Sequence, residues 1–346
     1  MVKPVHTPEI FRKLVRLSLI MGLGLNLGAC ANVATHLPDV SQPALKAEQK
    51  VQEKLAFAEM DRLQARLTRV AAPILSENTQ LCPKVRRDIG AHTHTLKSYP
   101  KALRDAAARE RGATDTPTIL YVVPGSGAQK AGLRPGDEIL GPLGKPVSVT
   151  GKTIRNLLDG AERGPITLDM RRGDRQWTVS LTPQSICDYK INLTMRSTVN
   201  AYANGRGITL TSGMMNFTQS DAELGLVIAH ELAHNTMGHV RKIVSNMILS
   251  GFARRYARPF ESEADYVGLY YLTRAGYSPD NVEDIWKRMA LIGPKSVARA
   301  KSHPTYPDRF LRLAAARDEI DTKLASDLPL IPNFKSGETP PSMSVP

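Results

Sequence analysis

The sequence predicts an α+β protein: a mainly helical C-terminal domain with a small β-sheet, and a β-rich module inserted ahead of it. Three observations predict this. Residues 44–76 carry Leu45, Val51, Leu55, Ala58, Leu63, Leu67 and Val70 near helical spacing with charges between them, the pattern of a long amphipathic helix. Between 110 and 183, short strand-like runs (Thr118–Val123, Ile166–Met170, Trp177–Leu181) alternate with Gly/Pro turns. From 185 to 322, a strand or two gives way to helical periodicity. A chain of 346 residues is long enough for two or three domains with real cores. With 23% charged residues it is not a disordered polyelectrolyte.

The net charge of +13 favours anionic surfaces, but aromatics make up only 5% of the chain, so no nucleic-acid partner is expected. No apolar run reaches the roughly 18 residues of a membrane span, which excludes a polytopic membrane protein. Three cysteines are too few for a disulfide scaffold.

Residues 1–16 are basic and precede Leu17–Leu27, an apolar run too short for a transmembrane helix but suited to a signal peptide. The run ends in Leu27-Gly28-Ala29-Cys30, which resembles a bacterial lipobox. That resemblance implies removal of residues 1–29, lipidation of Cys30 and attachment to a membrane through the lipid anchor. With Ala31 next, it implies a place on the periplasmic face of the outer membrane. The alternative is an ordinary cleaved signal with an incidental cysteine. Residues 30–43 read as a tether and 44–109 as the N-terminal helical part of the C-terminal domain. Residues 326–346, with five prolines and no periodicity, read as a disordered tail. In an oxidising compartment, Cys82 and Cys187 either form a disulfide pinning the two ends of the inserted segment together or remain two buried thiols.

The segment 110–183 resembles a PDZ domain. The resemblance is carried by Val122-Val123-Pro124-Gly125-Ser126-Gly127-Ala128 and by Ala131-Gly132-Leu133-Arg134-Pro135-Gly136-Asp137-Glu138-Ile139-Leu140. It implies a module that takes extended peptides, often C-terminal ones, as an added strand. The carboxylate loop is expected around Arg111–Thr116. A purely structural module is the alternative.

The chemistry is concentrated in 184–325. Asp221-Ala222-Glu223-Leu224 opens an apolar helix, with Ser220 or Asp221 as cap. Within it stands His230-Glu231-Leu232-Ala233-His234. Residues four apart lie about 40° apart around a helix, so both imidazoles project from one face and can share a metal. Zinc suits imidazole and a tetrahedral site with one open position. Glu231 lies beside such a metal as a general base. Further on, Glu261-Ser262-Glu263-Ala264-Asp265 again places two carboxylates four apart. Glu261 can complete the metal site, and Asp265 can accept the outer N–H of a ligating histidine. Glu263 points away, about 200° round the helix from Glu261. His239 is expected away from the metal, about 140° from His234 on a continuous helix. His92 and His94 are expected on the surface.

These motifs, with Asn200-Ala201-Tyr202, Gly205 to Ile208, Gly213-Met214-Met215 and Ser302-His303-Pro304 followed by Arg309, resemble metallopeptidase family forty-eight. The resemblance implies a metalloendopeptidase with one Zn2+, ligated by His230, His234 and Glu261, with Glu231 as base. It also implies that the strand at Ile208, Thr209, Leu210, Thr211 and Ser212 presents an open edge to an extended substrate. His303 and Arg309 are the candidates for stabilising the oxyanion, or His303 gates the metal's open position. Residues 241–258, apolar then basic, cover the cleft as a lid, touch anionic lipid headgroups or pack as a connecting helix pair. The expected function is hydrolysis of misfolded or unassembled envelope proteins, the substrates being unfolded or extended polypeptides. The alternative is a binding or assembly factor working through the PDZ-like module, its metal site latent or structural.

Overall fold

In a computed structural model of the chain, residues 37–140, 164–242, 258–292 and 307–333 are described. The leader with Cys30, most of 241–258, His303 and residues 334–346 lie outside the described residues. Two compact units are distinguished, Met1–Gln49 and Lys50–Pro346, and the contacts below all lie within the second. No described helix is long and apolar enough to cross a membrane.

Helix α1 (Gln42–Ser76) is the long amphipathic helix that the spacing predicts. Its apolar stripe is used only from Phe57 onward. Leu63, Leu67, Val70 and Ile74 are fully buried, whereas Val51 and Leu55 are exposed. After α1 the chain makes β1 (Val85–Asp88), β2 (Ala91–His94), α2 (Arg104–Arg111) and β3 (Thr118–Val122). A short helix α3 (Gly127–Lys130), then β4 (Glu138–Leu140), β5 (Ile166–Arg172) and β6 (Arg175–Leu181) follow. Strands β2-β3-β4-β5-β6 form one antiparallel sheet in that order. Alternate residues Ile166, Leu168 and Met170 of β5 turn inward and meet Ile119, Ile139 and Leu181 in a core of their own.

The module is therefore larger than residues 110–183, since β2, at an edge of the sheet among the described residues, begins at Ala91. Its sequence Ala91-His92-Thr93-His94 is polar because three of the four residues are not fully buried, so it lacks the apolar alternation that marks β5. His94 is not a surface residue: it is buried, with Nδ1 2.8 Å from the Tyr99 hydroxyl, whereas His92 is exposed as expected. The loop expected to take a carboxylate has its arginine already engaged. Arg111 donates to Asp61 of α1 at 2.5 Å and to Tyr99 at 3.1 Å, and it covers the Phe57 ring at 4.6 Å.

Strand β7 (Gln184–Cys187) returns antiparallel to β1, and a Cys82–Cys187 disulfide with a Cα–Cα distance of 5.7 Å closes the segment between them. Of the two sequence alternatives, the pinned ends are the one found.

A second, three-stranded sheet follows. Strand β10 (Gly207–Thr211) lies between β8 (Lys190–Thr194), parallel to it, and β9 (Ala201–Ala203), antiparallel to it. This corrects the expectation for Ile208–Ser212. Ile208, Thr209, Leu210 and Thr211 sit in the central strand with both sides paired, and Ser212 already begins helix α4 (Ser212–Phe217). Ile208 and Leu210 are fully buried, and the apolar alternation there reports burial rather than an open edge.

Helix α5 (Asp221–Thr236) starts at Ser220, whose Oγ accepts from the Glu223 N–H at 3.1 Å. Arg66 of α1 clamps this start, donating to Asp221 at 3.0 Å and to the Ser220 carbonyl at 2.8 Å. Helix α6 (Arg258–Arg274) packs along α5, and α7 (Asp284–Ile292) and α8 (Pro307–Ala325) complete the helical layer. Gly268 permits the close α5–α6 approach, because a Cβ there would lie 3.0 Å from the His230 backbone nitrogen. The start of the expected disordered tail is packed instead. Lys323 donates to the Ile331 carbonyl at 2.6 Å, and the Asn333 N–H donates to Tyr266 at 3.0 Å.

Candidate metal centre

Helices α5 and α6 bring His230, His234 and Glu261 together, all three nearly or fully buried. The two histidine Nε2 atoms are 3.1 Å apart, and the Glu261 oxygens lie 3.5 Å from each. A tetrahedral zinc bound at about 2.0–2.2 Å sets its ligand atoms roughly 3.3–3.5 Å apart, so the triangle fits. Two imidazoles and a carboxylate are also a zinc ligand set that leaves a fourth position for reaction. Glu231, 2% exposed, occupies the next position of the same helix.

The outer nitrogen of each histidine is also engaged. His230 Nδ1 is 2.9 Å from Asp265 Oδ1, the arrangement expected from the four-residue spacing. Burial alone would lower the His230 pKa, but the carboxylates of Asp265 and Glu261 outweigh it and push it up to about 9 in the metal-free protein. Burial works to raise Asp265, but the charge of Arg309 and the bonds from His230 and Arg309 hold it below the usual range.

Arg309 has a different place from the one expected. Its Nε and Nη2 donate to the two Asp265 oxygens at 2.5 and 2.6 Å, and its guanidinium stacks 4.9 Å from the Trp286 ring. It is 1% exposed, engages both Asp265 oxygens and brings its Nη1 to 4.0 Å from Glu261, so its hydrogen bonds go to the carboxylate behind His230. The expectation that it contacts an oxyanion is corrected accordingly.

His239 stays off the metal side, as expected, but the continuous helix assumed for it is corrected. Helix α5 ends at Thr236, and Gly238 adopts a left-handed φ of 68° that turns the chain back. Fully buried His239 thereby brings its Nδ1 to 3.1 Å from His234 Nδ1, and its Nε2 to 2.8 Å from Glu263. Glu263 does point away from the metal ligands, as expected, and it meets His239 there. The signal that would have found this is the glycine two residues past the helix end.

Asn235 also escaped the sequence reading. Its Oδ1 accepts from the Gly205 N–H at 2.7 Å and its Nδ2 donates to the Gly207 carbonyl at 3.0 Å. The β9–β10 turn is thus tied to the helix that carries both histidines.

The model of Peptidase family M48 matches residues 175–254 and 242–317. The curated relatives carry the name mitochondrial metalloendopeptidase OMA1. That of Arabidopsis thaliana is 29% identical over 142 residues, 34% of this chain and 29% of its own length. That of Schizosaccharomyces pombe is 25% identical over 173 residues, 42% of this chain and 51% of its own length. The Saccharomyces cerevisiae relative is 28% identical over 109 residues, covering 25% of this chain and 32% of its own. The chain thus spans about half or less of the curated relatives it matches. Among solved structures, the HtrA3 PDZ domain bound to a phage-derived ligand is 22% identical, with a TM-score of 0.24, covering 30% of this chain and 92% of that one. The relatives overturn the expected location at a bacterial outer membrane, because all three are mitochondrial proteins. Residues 175–317, which hold both helices of the candidate metal site, are thus similar to Peptidase family M48.

Proposed function

We propose that this protein is a zinc-dependent metalloendopeptidase acting on unfolded or unassembled polypeptides in extended form. The observation that carries the reading is the triangle of His230 Nε2, His234 Nε2 and a Glu261 oxygen, with buried Glu231 one position along the same helix. His230, His234 and Glu261 would hold the zinc, which when bound supplies a Lewis acid and makes a water acidic enough to attack at neutral pH. Glu231 accepts the proton from the attacking water and returns it to the departing amine. Asp265, itself held by Arg309, keeps His230 in the tautomer that offers Nε2 inward. His303 remains the candidate donor to the oxyanion.

The substrate lies along β9, which is an edge of its sheet among the described residues and packs beside α5. An extended segment pairing there presents its backbone evenly to the metal, while a folded protein has no free strand to offer. Asn235 holds the turn that aims this edge. The β-rich module offers a second strand edge, β2, as a place to take a peptide.

The test is digestion of casein by the purified chain beside Glu231→Gln, with the zinc content of both measured. Activity is expected to fall by on the order of 10³-fold at unchanged zinc content. If both proteins carry zinc and neither cuts, the endopeptidase reading fails and a binding factor working through the β-rich module takes its place.

A further inference from the structure

The two histidine ligands are supported by carboxylates in different ways. Asp265 reaches His230 directly, at 2.9 Å. On the same helix Glu263 sits about 200° round from Glu261, so it cannot approach the metal side of His234. The gap is bridged by His239, which the left-handed Gly238 returns to the site.

The geometry points to a relay, Glu263–His239–His234, that holds the second histidine ligand and sets how tightly the protein keeps its zinc. The inference rests on the reading of the site as a zinc site. The tautomers follow from the directions of the rings. His234 Nε2 faces His230 Nε2 and Glu261, so the metal takes Nε2 and the proton stays on Nδ1. That N–H donates to His239 Nδ1 at 3.1 Å, which must therefore be the unprotonated nitrogen of its ring. The His239 proton is then on Nε2 and donates to Glu263 at 2.8 Å. Each of the four ring nitrogens has one role, and every donor meets an acceptor.

Burial fits the same reading. His239 is fully buried, and Phe260 packs on its ring with centroids 4.9 Å apart. The Glu263 side chain is 32% exposed, so the relay runs from a carboxylate near the surface to a ligand in the core. A carboxylate at the outer end polarises both imidazoles and makes His234 Nε2 a stronger donor to the metal. It also helps to fix the orientation of the His234 ring. His239 and Glu263 are positioning residues, since both act through His234.

The experiment is zinc affinity, by competition with a chromogenic chelator, on the full chain and on Glu263→Ala, His239→Ala, the double variant and Glu263→Gln. No activity measurement enters. Each single alanine variant is expected to bind zinc roughly 10–100-fold more weakly. The double variant is expected to be no weaker than the weaker single, because both act through one chain of contacts. Glu263→Gln is expected to recover most of the loss, since its amide oxygen still accepts from His239 Nε2. His239→Ala leaves a hole in the core, so Glu263→Ala, at a partly exposed position, carries the test if that variant does not fold. Unchanged affinity in Glu263→Ala, or losses that multiply in the double variant, would overturn the relay. A wild-type chain that binds no zinc would instead sink the zinc reading on which it rests.

Discussion

Asp137 in the β-rich module and Asp265 behind the metal site are both buried aspartates held by an arginine, and the contrast between them shows what each region is built for. Asp137 accepts from the Arg134 N–H at 2.8 Å and from Arg172 at 2.5 and 2.8 Å. It closes the turn into β4, and its arginine is 40% exposed. Asp265 accepts from Arg309, which is 1% exposed, and from a histidine of the candidate metal site. In the module the carboxylate serves a turn, and water reaches the arginine that pairs with it though not the carboxylate itself. Behind the metal no water helps, and the carboxylate, the arginine and the histidine depend on one another.

The largest expected effect tests that dependence. Arg309→Ala leaves the buried Asp265 charge with His230 in place of two partners and should cost about 3–5 kcal/mol of stability, with zinc affinity falling as the carboxylate that fixes His230 is itself loosened. Arg172→Ala should cost clearly less and leave zinc affinity unchanged, since solvent reaches the arginine's place and the Arg134 N–H still donates to Asp137. Thermal melts and chelator competition on both variants check this. Equal losses in the two would erase the distinction between the regions.

The disulfide ranks next. Cys82 and Cys187 are 105 residues apart, so the bridge removes a large loop-closure entropy from the unfolded chain. Cys82→Ser with Cys187→Ser should lower stability by roughly 2–4 kcal/mol in chemical denaturation. Zinc affinity should stay where it was, because the bond joins the ends of the module and touches no metal ligand. A drop in zinc affinity at temperatures where the variant stays folded would show the two regions to be mechanically coupled.

A smaller loss is expected at Gly268, where helix packing and metal geometry meet. An added Cβ would lie 3.0 Å from the His230 nitrogen and 3.1 Å from its Cα. Backbone cannot rotate away as a side chain can, so Gly268→Ala must push α6 outward and carry Glu261 with it. A cost of about 1–3 kcal/mol is expected, with a weaker zinc site. A stabilised variant with full zinc affinity would mean that the interface has slack.

Much of the site was legible from spacing alone. His230 and His234, then Glu261 and Asp265, each fall four apart on a helix, and that geometry is local. What was not legible depends on which neighbour lies across a gap. Arg309 was expected at the oxyanion because its distance from the helices in sequence says nothing of the side on which it arrives. His239 was placed on a continuous helix, and one glycine with a positive φ undid that. Ile208–Thr211 read as apolar strand, which they are, but alternation reports burial and cannot tell a central strand from an edge. Strand β2 was missed for the opposite reason: with His92 and Thr93 not fully buried at a sheet edge, it has little apolar pattern to show.

The remaining effect is a pH dependence that differs between the metal-free and zinc-loaded protein. In the metal-free protein the His230 pKa stands at about 9, above its ordinary value of 6.5. A raised pKa means that the folded state holds the proton more tightly than the unfolded chain. The stability this contributes is complete below about pH 6.5 and is lost as pH rises through 9. Zinc occupies Nε2 and leaves no such proton to lose, so the loaded protein should show no matching decline. The metal-free melting temperature should therefore fall from pH 6.5 to 9 while the loaded one holds steadier, and other titrating groups cancel in the comparison. Zinc uptake near neutral pH should release close to one proton from His230, measurable in weakly buffered solution. Parallel melting curves with no proton release would mean that His230 is neutral before the metal arrives, and Asp265 would then act by aiming the ring rather than by holding its charge.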